Sequence, residues 1–471
     1  MGSIAQLSTL TTKSDCSHVY GSRYAARSMP SQRLPDEEMP KDIAYQLIKD
    51  DLVLDGQPML NLASFVTTYM EDEALRLLAE SANKNIIDHE EYPKSVEIEN
   101  RCLNILADLF HSPLSNGSPT AVGTSCIGSS EAIMLAVLAM KNKWENHRKA
   151  QGKDSSSPNI IMSTGVQLCW KKPATVDLVD ENTIGICAIL GTTYTGQYED
   201  VRAINDLLLE RGLETPIHVD AASGGFVAPF IDPELQWDFQ LSNVVSINVS
   251  GHKYGLVYPG IGWALWRSPS ELPKDLIFNI NYLGADQLNF TLNFSKPASH
   301  IIAQYYQLIR LGRSGYTAIM ANLTRTADHL TTHLKDLGFI IMSEGGGHGL
   351  PVVAFRLNPT QNVFFDEWAL SRKLREKGWI VPAYTMAADC ETMGMMRVVV
   401  REDFSLGRCE TLVEDIQAAL RALAELEMKN IQRYQALLQS HVMIPRTMCE
   451  DKPCTQVVAR ELGKEMEMAK A

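Results

Sequence analysis

Two apolar periodicities alternate along the middle of the chain. Amphipathic patterns with helical spacing predict helices over residues 131–147 and 201–212. Short apolar runs rich in β-branched residues predict strands at 159–163, 184–190, 216–220, 244–250 and 262–267. Strands that alternate with helices in this way predict an α/β fold with a doubly wound, mostly parallel sheet.

The pattern changes after about Leu323. From there the apolar spacing predicts a helix, a strand, a helix, a strand and a closing helix, at 326–338, 352–357, 366–378, 396–402 and 409–427. Longer helices with fewer strands are typical of a smaller α+β domain. We therefore predict that a second, C-terminal domain packs beside the parallel sheet.

The first sixty residues differ in composition and pattern from both of these regions. Residues 1–23 are rich in Ser and Thr, so we expect them to lack a fixed structure, and residues 42–54 carry an amphipathic helical pattern. The predicted organisation is an N-terminal segment 1–60, a large domain 61–322, and a small domain with a tail 323–471.

Polar residues follow several of the predicted strands. Ligands of open α/β sheets bind outside the carboxyl ends of the strands. Thr193, Asp220 and Lys253 each come at or just after such an end. These three positions are therefore the first candidates for a functional site.

Lys253 lies in the segment SINVSGHKYG, residues 246–255, directly after a β-branched strand. An ammonium group there must be desolvated or paired, which is poor packing. A dry pocket instead favours the neutral amine that attacks a carbonyl to form a Schiff base. Taken alone, a lysine at this point is more often an ordinary solvated residue at a strand end.

Asp220 ends a strand in HVDAASGGF, residues 218–226, and is followed by small residues. A carboxylate at this point is often a helix cap or a turn former. It would also pair with the ring nitrogen of a pyridine cofactor, and Ala222 is small enough for the ring to lie beside it.

Gly128, Ser129 and Ser130 precede the helical segment that begins near Glu131. A Gly-Ser turn that opens a helix offers free N–H groups, hydroxyls and the positive end of the helix dipole, which suit a phosphate. An ordinary capped helix has the same pattern. The order of the set favours function: phosphate turn, strand-end Thr193, Asp220, and then Lys253.

With these residues, the chain resembles the glutamate decarboxylases of plants, fungi and bacteria. They form a branch of the group II pyridoxal-phosphate-dependent decarboxylases, with the aspartate-aminotransferase-like fold (fold type I). The resemblance covers roughly residues 24–436. It is carried by NLASFVTTYMEDE, ANKNIIDHEEYP, IGSSEA, VQLCW, DENTIG, TTYTG, HVDAASGGF, SGHKYG, NFSKPA and MRVVVRED.

The resemblance implies a role for each matching residue. Lys253 would hold pyridoxal 5'-phosphate covalently, Asp220 would pair with its ring nitrogen, and His252 would complete the catalytic set. The cofactor-binding residues would be Ser129, Ser130, Gln167, Thr193, Asp220, Ala222, Ser250, His252, Lys253 and Ser295. Of these, Gln167 would stack on the ring, and Ser295 would reach the phosphate from a neighbouring subunit, which implies a homodimer or a higher homo-oligomer.

The implied reaction is α-decarboxylation of L-glutamate to 4-aminobutyrate (GABA) and CO₂. Arg397 would grip the α-carboxylate, and Ser64, Phe65 and Asn85 would contact the distal carboxylate. The group that returns a proton to Cα stays open among Lys253, His252 and a loop near Tyr282.

One segment departs from the family pattern. Only residues 164–183 separate two predicted strands, where members of the family carry a further strand and helix. Pro173 would also break a helix begun in VQLCWKK. An inactive subunit that pairs with intact ones is therefore an alternative, and decarboxylation of another amino acid is a lesser one.

Composition narrows the partners and the compartment. The net charge of −13 argues against nucleic acid or an anionic membrane as a partner. Nine scattered cysteines without a CxxC pair fit reduced thiols and no metal site, so we expect a cytoplasmic protein. The residues after Trp379 lack the basic, Trp-bearing segment of a calmodulin target, so calmodulin binding is not expected.

Overall fold

The computed structural model describes residues 19–115, 117–162, 176–280, 287–361, 365–386 and 391–442. Two sequence-based expectations therefore fall outside the described residues: the lack of fixed structure over residues 1–18, and the tail after residue 442. The helices are α1 Lys41–Leu52, α2 Asp72–Glu80, α3 Pro93–Leu109, α4 Ser129–Ala150, α5 Val201–Glu210, α6 Ala228–Ile231, α7 Ser299–Asp336, α8 Glu367–Arg375 and α9 Leu406–Val442.

The strands fall into a central sheet, a smaller sheet and two short hairpins. They are β1 Leu114–Ser115, β2 Ser118–Pro119, β3 Val122–Cys126, β4 Asn159–Met162, β5 Thr183–Ile189, β6 Ile217–Asp220, β7 Val244–Val249, β8 Gly262–Trp266, β9 Phe278–Ile280, β10 Gln287–Asn289, β11 Ile340–Ile341, β12 Val352–Arg356, β13 Ala383–Thr385 and β14 Gly394–Val399.

The central sheet has six strands in the order β3-β8-β7-β6-β5-β4. Strands β4 to β7 pair in parallel, and β8 runs antiparallel to both of its neighbours. The predicted α/β fold with a mostly parallel sheet is confirmed. The carboxyl ends of β5, β6 and β7 consequently meet at one edge.

The sequence accounts for most of these elements. Strands β6, β7 and β8 are almost wholly buried, and parallel strands of this kind read as continuous apolar runs. Helix α5 begins after Asp200, whose side chain accepts a hydrogen bond from the Ala203 N–H at 2.9 Å. Helix α8 begins in the same way at Asp366, as helix-capping carboxylates commonly do.

Several elements are absent from the sequence-based predictions, among them α3 and β3. Helix α3 packs against α7, and β3 forms an edge of the central sheet. The β3 sequence, VGTSC, is small and mostly polar, so its apolar pattern is weak. Its strand geometry comes from pairing with β8, which carries the chain directly to Gly128 and the start of α4.

The C-terminal part contains the smaller antiparallel sheet, in the order β11-β12-β14-β13. Helices α8 and α9 pack together on it, as an α+β domain requires. Helix α7 runs continuously through the domain boundary predicted at residues 322 and 323. Its one non-helical residue, Gly312, lies ten residues earlier, with φ of 57°.

Helix α7 also supports the turn that follows Lys253. The Gly255 carbonyl accepts hydrogen bonds from Gln304 Nε2 at 3.1 Å and from Tyr316 Oη at 3.0 Å. The Leu256 carbonyl accepts from Gln307 Nε2 at 2.8 Å. Leu256 has a φ of +63°, a left-handed conformation that is uncommon outside glycine, and these bonds hold it there.

Candidate active site

The candidate site lies at the carboxyl edge of the central sheet. Asp220 is the last residue of β6, and Lys253 lies in the turn four residues after the end of β7. The β6–β7 register sets Asp220 directly opposite Asn248. The sheet therefore brings two of the predicted residues together, as the strand-end argument requires.

Lys253 lies in a partly buried pocket beside an aromatic ring. Its Nζ donates a hydrogen bond to Ser223 Oγ at 3.1 Å and lies 5.5 Å from the centre of the Phe65 ring. Burial lowers the pKa of the Lys253 amine; the charge of Arg397 lowers it further, and that of Asp220 opposes the shift. This environment favours the neutral amine, the form that acts as a nucleophile.

The backbone around Lys253 is fixed by the N-terminal part of the large domain. Thr67 Oγ1 donates to the Lys253 carbonyl at 2.7 Å, and the Thr67 N–H donates to the His252 carbonyl at 3.0 Å. These bonds join the segment that carries Phe65 to the lysine turn. The two therefore keep a constant separation.

A cavity of about 380 Å³ lies between the start of α4 and the lysine turn, and Ser129, Ser130, Ser250, His252 and Lys253 line it. Ser129 Oγ and Ser250 Oγ are 2.7 Å apart. The first N–H groups of a helix have no partner within it, so α4 directs N–H donors at this space. Hydroxyls and N–H groups together suit a phosphate.

Gly128 and His252 form one wall of this cavity. A Cβ atom at Gly128 would lie 2.9 Å from His252 Cε1, so any larger residue there would displace the His252 ring. His252 Nδ1 is buried and, within the described part of the chain, has no hydrogen-bond partner. Burial and the charge of Lys253 lower the pKa of His252 to about 4, so its imidazole is neutral at neutral pH. An unpartnered ring nitrogen beside a phosphate-sized cavity fits a ligand that donates or accepts there.

Asp220 is held at the other side of the lysine. Its Oδ1 accepts hydrogen bonds from the Ala222 N–H at 3.1 Å and from Asn248 Nδ2 at 2.8 Å. The Ala222 carbonyl in turn accepts from the Ser250 N–H at 3.1 Å. These bonds link Asp220 and Ala222 to the cavity wall and fix the direction of the carboxylate.

Comparison with known proteins decides the family. Residues 35–184 and 176–358 match the family model described as the pyridoxal-dependent decarboxylase conserved domain. The chain belongs to the pyridoxal-dependent decarboxylases. It is 52% identical over 450 residues to a glutamate decarboxylase of Petunia hybrida, with 89% of each chain covered.

Bacterial relatives and a solved structure agree. The glutamate decarboxylase beta of Listeria innocua serovar 6a is 43% identical over 434 residues, covering 86% of this chain and 93% of that one. The structure of the Lactobacillus brevis glutamate decarboxylase superposes with a TM-score of 0.81 at 40% identity, covering 86% of this chain and 98% of that one. The resemblance drawn from the motifs, and with it fold type I, is confirmed.

The decarboxylase's Arg397 occupies the opposite wall of the site from α4. Its guanidinium donates hydrogen bonds to the carbonyls of Thr193 and Ala63, the second at 3.0 Å. It stacks on the rings of Phe65 and Tyr384, with centroid distances of 5.3 and 5.4 Å. Its Nε atom is buried, and none of the described residues accepts from it. Burial lowers the pKa of Arg397. A cation with a donor to spare fits a substrate carboxylate.

Ser64, Asn85 and Ser295 lie farther from the lysine. Ser64 Oγ accepts from the Val66 N–H at 3.1 Å. Asn85 Nδ2 lies 3.5 Å from Ser295 Oγ, a long hydrogen bond, and Asn85 Oδ1 is buried without a partner in the described part of the chain. Ser295 is exposed. No described contact joins Asn85 or Ser295 to Lys253, so their roles in this decarboxylase stay predictions.

Thr193 contributes differently from the prediction. It is exposed, does not line the cavity beside α4, and takes part through its backbone carbonyl, which accepts from Arg397. Gln167 and Tyr282 lie outside the described residues. The ring-stacking and proton-donor predictions made for them therefore stay as stated.

Four neighbours of the decarboxylase site escape the sequence-based predictions: Thr67, Ser223, His218 and Asn248. Thr67 and Ser223 contact Lys253 across long stretches of chain, and no local pattern marks them. His218 and Asn248 do leave a signal, because they are polar residues inside strands that are otherwise apolar.

Within the parts of the chain that the structure describes, no helix has the length and apolar character to cross a membrane. In the same residues, no group of three or more histidine, cysteine, aspartate or glutamate side chains is arranged to hold a metal ion.

Proposed function

We infer that this pyridoxal-dependent decarboxylase acts on L-glutamate, releasing the α-carboxylate as CO₂ and leaving 4-aminobutyrate after a proton is added at Cα. The observation that carries the inference is the Lys253 amine, whose pKa is lowered by burial and which lies between Asp220, Phe65 and the cavity at the start of α4. The identities of about 40 to 52% to proteins named glutamate decarboxylase support the choice of substrate.

The residues of the site fit pyridoxal 5'-phosphate. Its phosphate suits the hydroxyls of Ser129 and Ser250 and the N–H groups at the start of α4, and its ring nitrogen suits the carboxylate of Asp220. When bound, the cofactor supplies an electron-poor ring that accepts the electron pair left on Cα as CO₂ departs. Lys253 would hold the cofactor, with His252 next to the phosphate.

The protein's own contribution is orientation and charge. Arg397 would bind the α-carboxylate and fix the orientation of the bond that breaks, which is a positioning effect. The Phe65 ring contacts both side chains, with its centre 5.5 Å from Lys253 Nζ and 5.3 Å from Arg397 Cζ, and an apolar ring at this position reduces the hydration of both. The Lys253 amine is one candidate for the group that adds a proton at Cα, because burial lowers its pKa from the ordinary value for lysine.

The test is an absorbance spectrum of the purified chain with pyridoxal phosphate, together with CO₂ release from L-glutamate. Borohydride should trap the cofactor on one lysine, and peptide mapping should identify it as Lys253. Lys253→Ala should lose both the visible band and turnover. Lys377→Ala changes a lysine on the surface of the small domain and should keep both. Cofactor attached to another lysine, or bound cofactor without CO₂ release, would contradict the proposal.

A second candidate is an inactive subunit that pairs with active ones. The family match is divided into two parts that meet at residues 176–184, at the end of the short segment 164–183. The segment contains Gln167, the position proposed for ring stacking, so a shortened segment would weaken cofactor binding there. Turnover by the pure chain would exclude this candidate, whereas suppression of an intact glutamate decarboxylase on mixing would favour it.

We further propose a cytoplasmic homodimer or a higher homo-oligomer that does not bind calmodulin. The exposed Ser295 and its exposed neighbours Leu292 and Phe294 support an interface beside the site. The buried free thiols of Cys102, Cys126, Cys187 and Cys409 are consistent with a reducing compartment. Light scattering after gel filtration tests the assembly, and a calcium-dependent pulldown with calmodulin tests the absence of that partner.

A further inference from the structure

A line of polar side chains runs through the apolar strands beneath Asp220. The β6–β7 register pairs His218 with Ser246 and Asp220 with Asn248. Ser246 Oγ lies 2.9 Å from His218 Nδ1. His218 Nε2 lies 2.8 Å from Asn248 Oδ1, and Asn248 Nδ2 lies 2.8 Å from Asp220 Oδ1. We call these three side chains, Ser246, His218 and Asn248, the relay.

The relay is cut off from water. His218 and Asn248 are 0% exposed, and Ser246 is 1% exposed. Burial lowers the pKa of His218, an effect that the charge of Asp220 opposes. The His218 imidazole is therefore neutral, so one of its nitrogens carries a proton and the other accepts one.

The hydrogen bonds of the relay have one possible direction. An ionised carboxylate only accepts, so the Asn248 atom beside Asp220 is the amide nitrogen and its Oδ1 faces His218. The Nε2 atom of His218 must then carry the proton, and Nδ1 must accept the Ser246 hydroxyl. Every donor consequently points towards Asp220 Oδ1.

We propose that the relay positions Asp220 for the cofactor's ring nitrogen: it anchors Oδ1 and leaves Oδ2 for the ring nitrogen. His218 and Asn248 are thus positioning residues for the decarboxylation, because they act on the reaction only through Asp220. This inference rests on the proposed function, since it assumes that a pyridine ring lies beside Asp220.

A purely structural role explains the relay poorly. Apolar side chains of similar volume would fill the same space between β6 and β7 without any polar group to desolvate. A buried polar network is unfavourable unless each of its groups is hydrogen-bonded. Here Ser246, His218 and Asn248 are linked by successive hydrogen bonds, and the last bond ends on the Asp220 carboxylate. The free-energy cost of desolvating these side chains is offset by their hydrogen bonds, the last of which is made to the functional carboxylate.

The first test reads the relay itself. Nitrogen-15 NMR of histidine-labelled protein at pH 7, with and without cofactor, should show a neutral His218 protonated on Nε2. His218→Gln assigns the signal. A neutral ring protonated on Nδ1, or a doubly protonated ring, would overturn the proposal. Because the cofactor-free measurement needs no ring beside Asp220, it still tests the relay if the proposed function fails.

The second test reads the cofactor. In protein loaded with nitrogen-15 pyridoxal phosphate, the ring nitrogen should be protonated in the native chain. Asn248→Leu removes the donor to Oδ1 at nearly constant volume. We expect the ring-nitrogen signal to move towards the unprotonated position, kcat to fall about tenfold or more, and KM to change by less than about twofold.

A control variant and a milder variant complete the experiment. Asn205 is an equally buried amide at 3% exposed, and it bonds to Asn243 and Asp206 away from the site. Asn205→Leu should leave the ring-nitrogen signal unchanged. If Asn248→Leu does not fold, Ser246→Ala at the far end should fold and shift the same signal by a smaller amount. An unchanged ring nitrogen in a folded relay variant, or an equal shift in Asn205→Leu, would overturn the proposal.

Discussion

Arg401 is a buried cation whose removal tests how the substrate end of the site is held. Its side chain is 1% exposed and donates hydrogen bonds to the carbonyls of Asn61 at 2.6 Å, Ser64 at 2.7 Å and Pro58 at 3.1 Å. The backbone it binds leads directly to the proposed contacts of the distal carboxylate, Ser64 and Phe65. Replacing Arg401 with Met keeps much of the volume and removes all three donors.

The magnitude follows from what is left behind. A hydrogen bond to a charged group contributes about 1.5 to 3 kcal/mol, and removing one partner of a buried ionic network costs about 3 to 5 kcal/mol. Much of this loss of stability should affect residues 58–64, whose carbonyls Arg401 binds. We expect its local opening free energy to fall by about 3 kcal/mol, which makes amide exchange roughly 100-fold faster.

The Leu62 amide is the reporter for this effect. Leu62 is 0% exposed, and its N–H donates to the Ile380 carbonyl at 3.0 Å, so it exchanges only when the segment opens. Hydrogen exchange followed by mass spectrometry of peptides covering residues 58–66 measures the change. We also expect KM for glutamate to rise about tenfold, because the displaced segment carries Ser64 and Phe65.

Arg267 offers a matched control. It likewise donates to three backbone carbonyls, those of Val244, Phe239 and Leu241, but at the far end of β7 from Lys253. Arg267→Met should lower the melting temperature without speeding exchange in residues 58–66 or raising KM. Equal exchange of the Leu62 peptide in Arg401→Met and the native chain would refute the reasoning, as would uniform acceleration over the whole chain.

Three further predictions concern the site. The ordinary pKa of histidine is 6.5 and that of His252 is about 4, so the unfolded chain binds more protons between these values and stability falls as pH drops from about 6.5 towards 4; thermal melts of the cofactor-free chain should show a flatter decline in His252→Gln, and parallel curves would contradict this. If Ser295 serves the neighbouring subunit, the Lys253→Ala chain should be inactive alone, the Ser295→Glu chain should be weak alone, and activity should be recovered when the two are refolded together, because one mixed site is then intact; no recovery would place Ser295 in its own subunit's site. Asn85→Ala should raise KM for glutamate about tenfold by removing a hydrogen bond to the distal carboxylate; an unchanged KM would favour another substrate.

The sequence predicts the chemistry-bearing residues best where they follow a buried strand. Asp220 and Lys253 stand out because a polar group directly after an apolar strand is either solvated or takes part in binding or catalysis. The parallel sheet then brings both residues to one edge. Arg397 is within reach by its motif, although its contacts with Ala63 and Thr193 come from chain more than 200 residues away. Such pairings depend on the tertiary fold and leave no local pattern.

Other features could not be seen for different reasons. Strand β3 consists mostly of small and polar residues and has no clear strand pattern, so its strand conformation depends on pairing with β8. Arg401 is followed directly by Glu402 and Asp403, a sequence typical of an exposed arginine, so its burial follows only from the packing of residues 58–64 around it. The relay could have been predicted, since alternate residues on β6 and β7 are polar. It is missed because both segments are identified as strands from their apolar residues alone.

The contacts of α7 have a consequence for altering the catalyst. The turn after Lys253 is held by hydrogen bonds from three side chains that lie 49 to 61 residues farther along the chain, those of Gln304, Gln307 and Tyr316. Randomised libraries that vary only the residues lining the pocket would keep these hydrogen bonds, so every variant would carry its side chains on the same backbone conformation. Varying this face of the helix instead would reshape the lysine turn itself, so variants with a shifted nucleophile should be sought there.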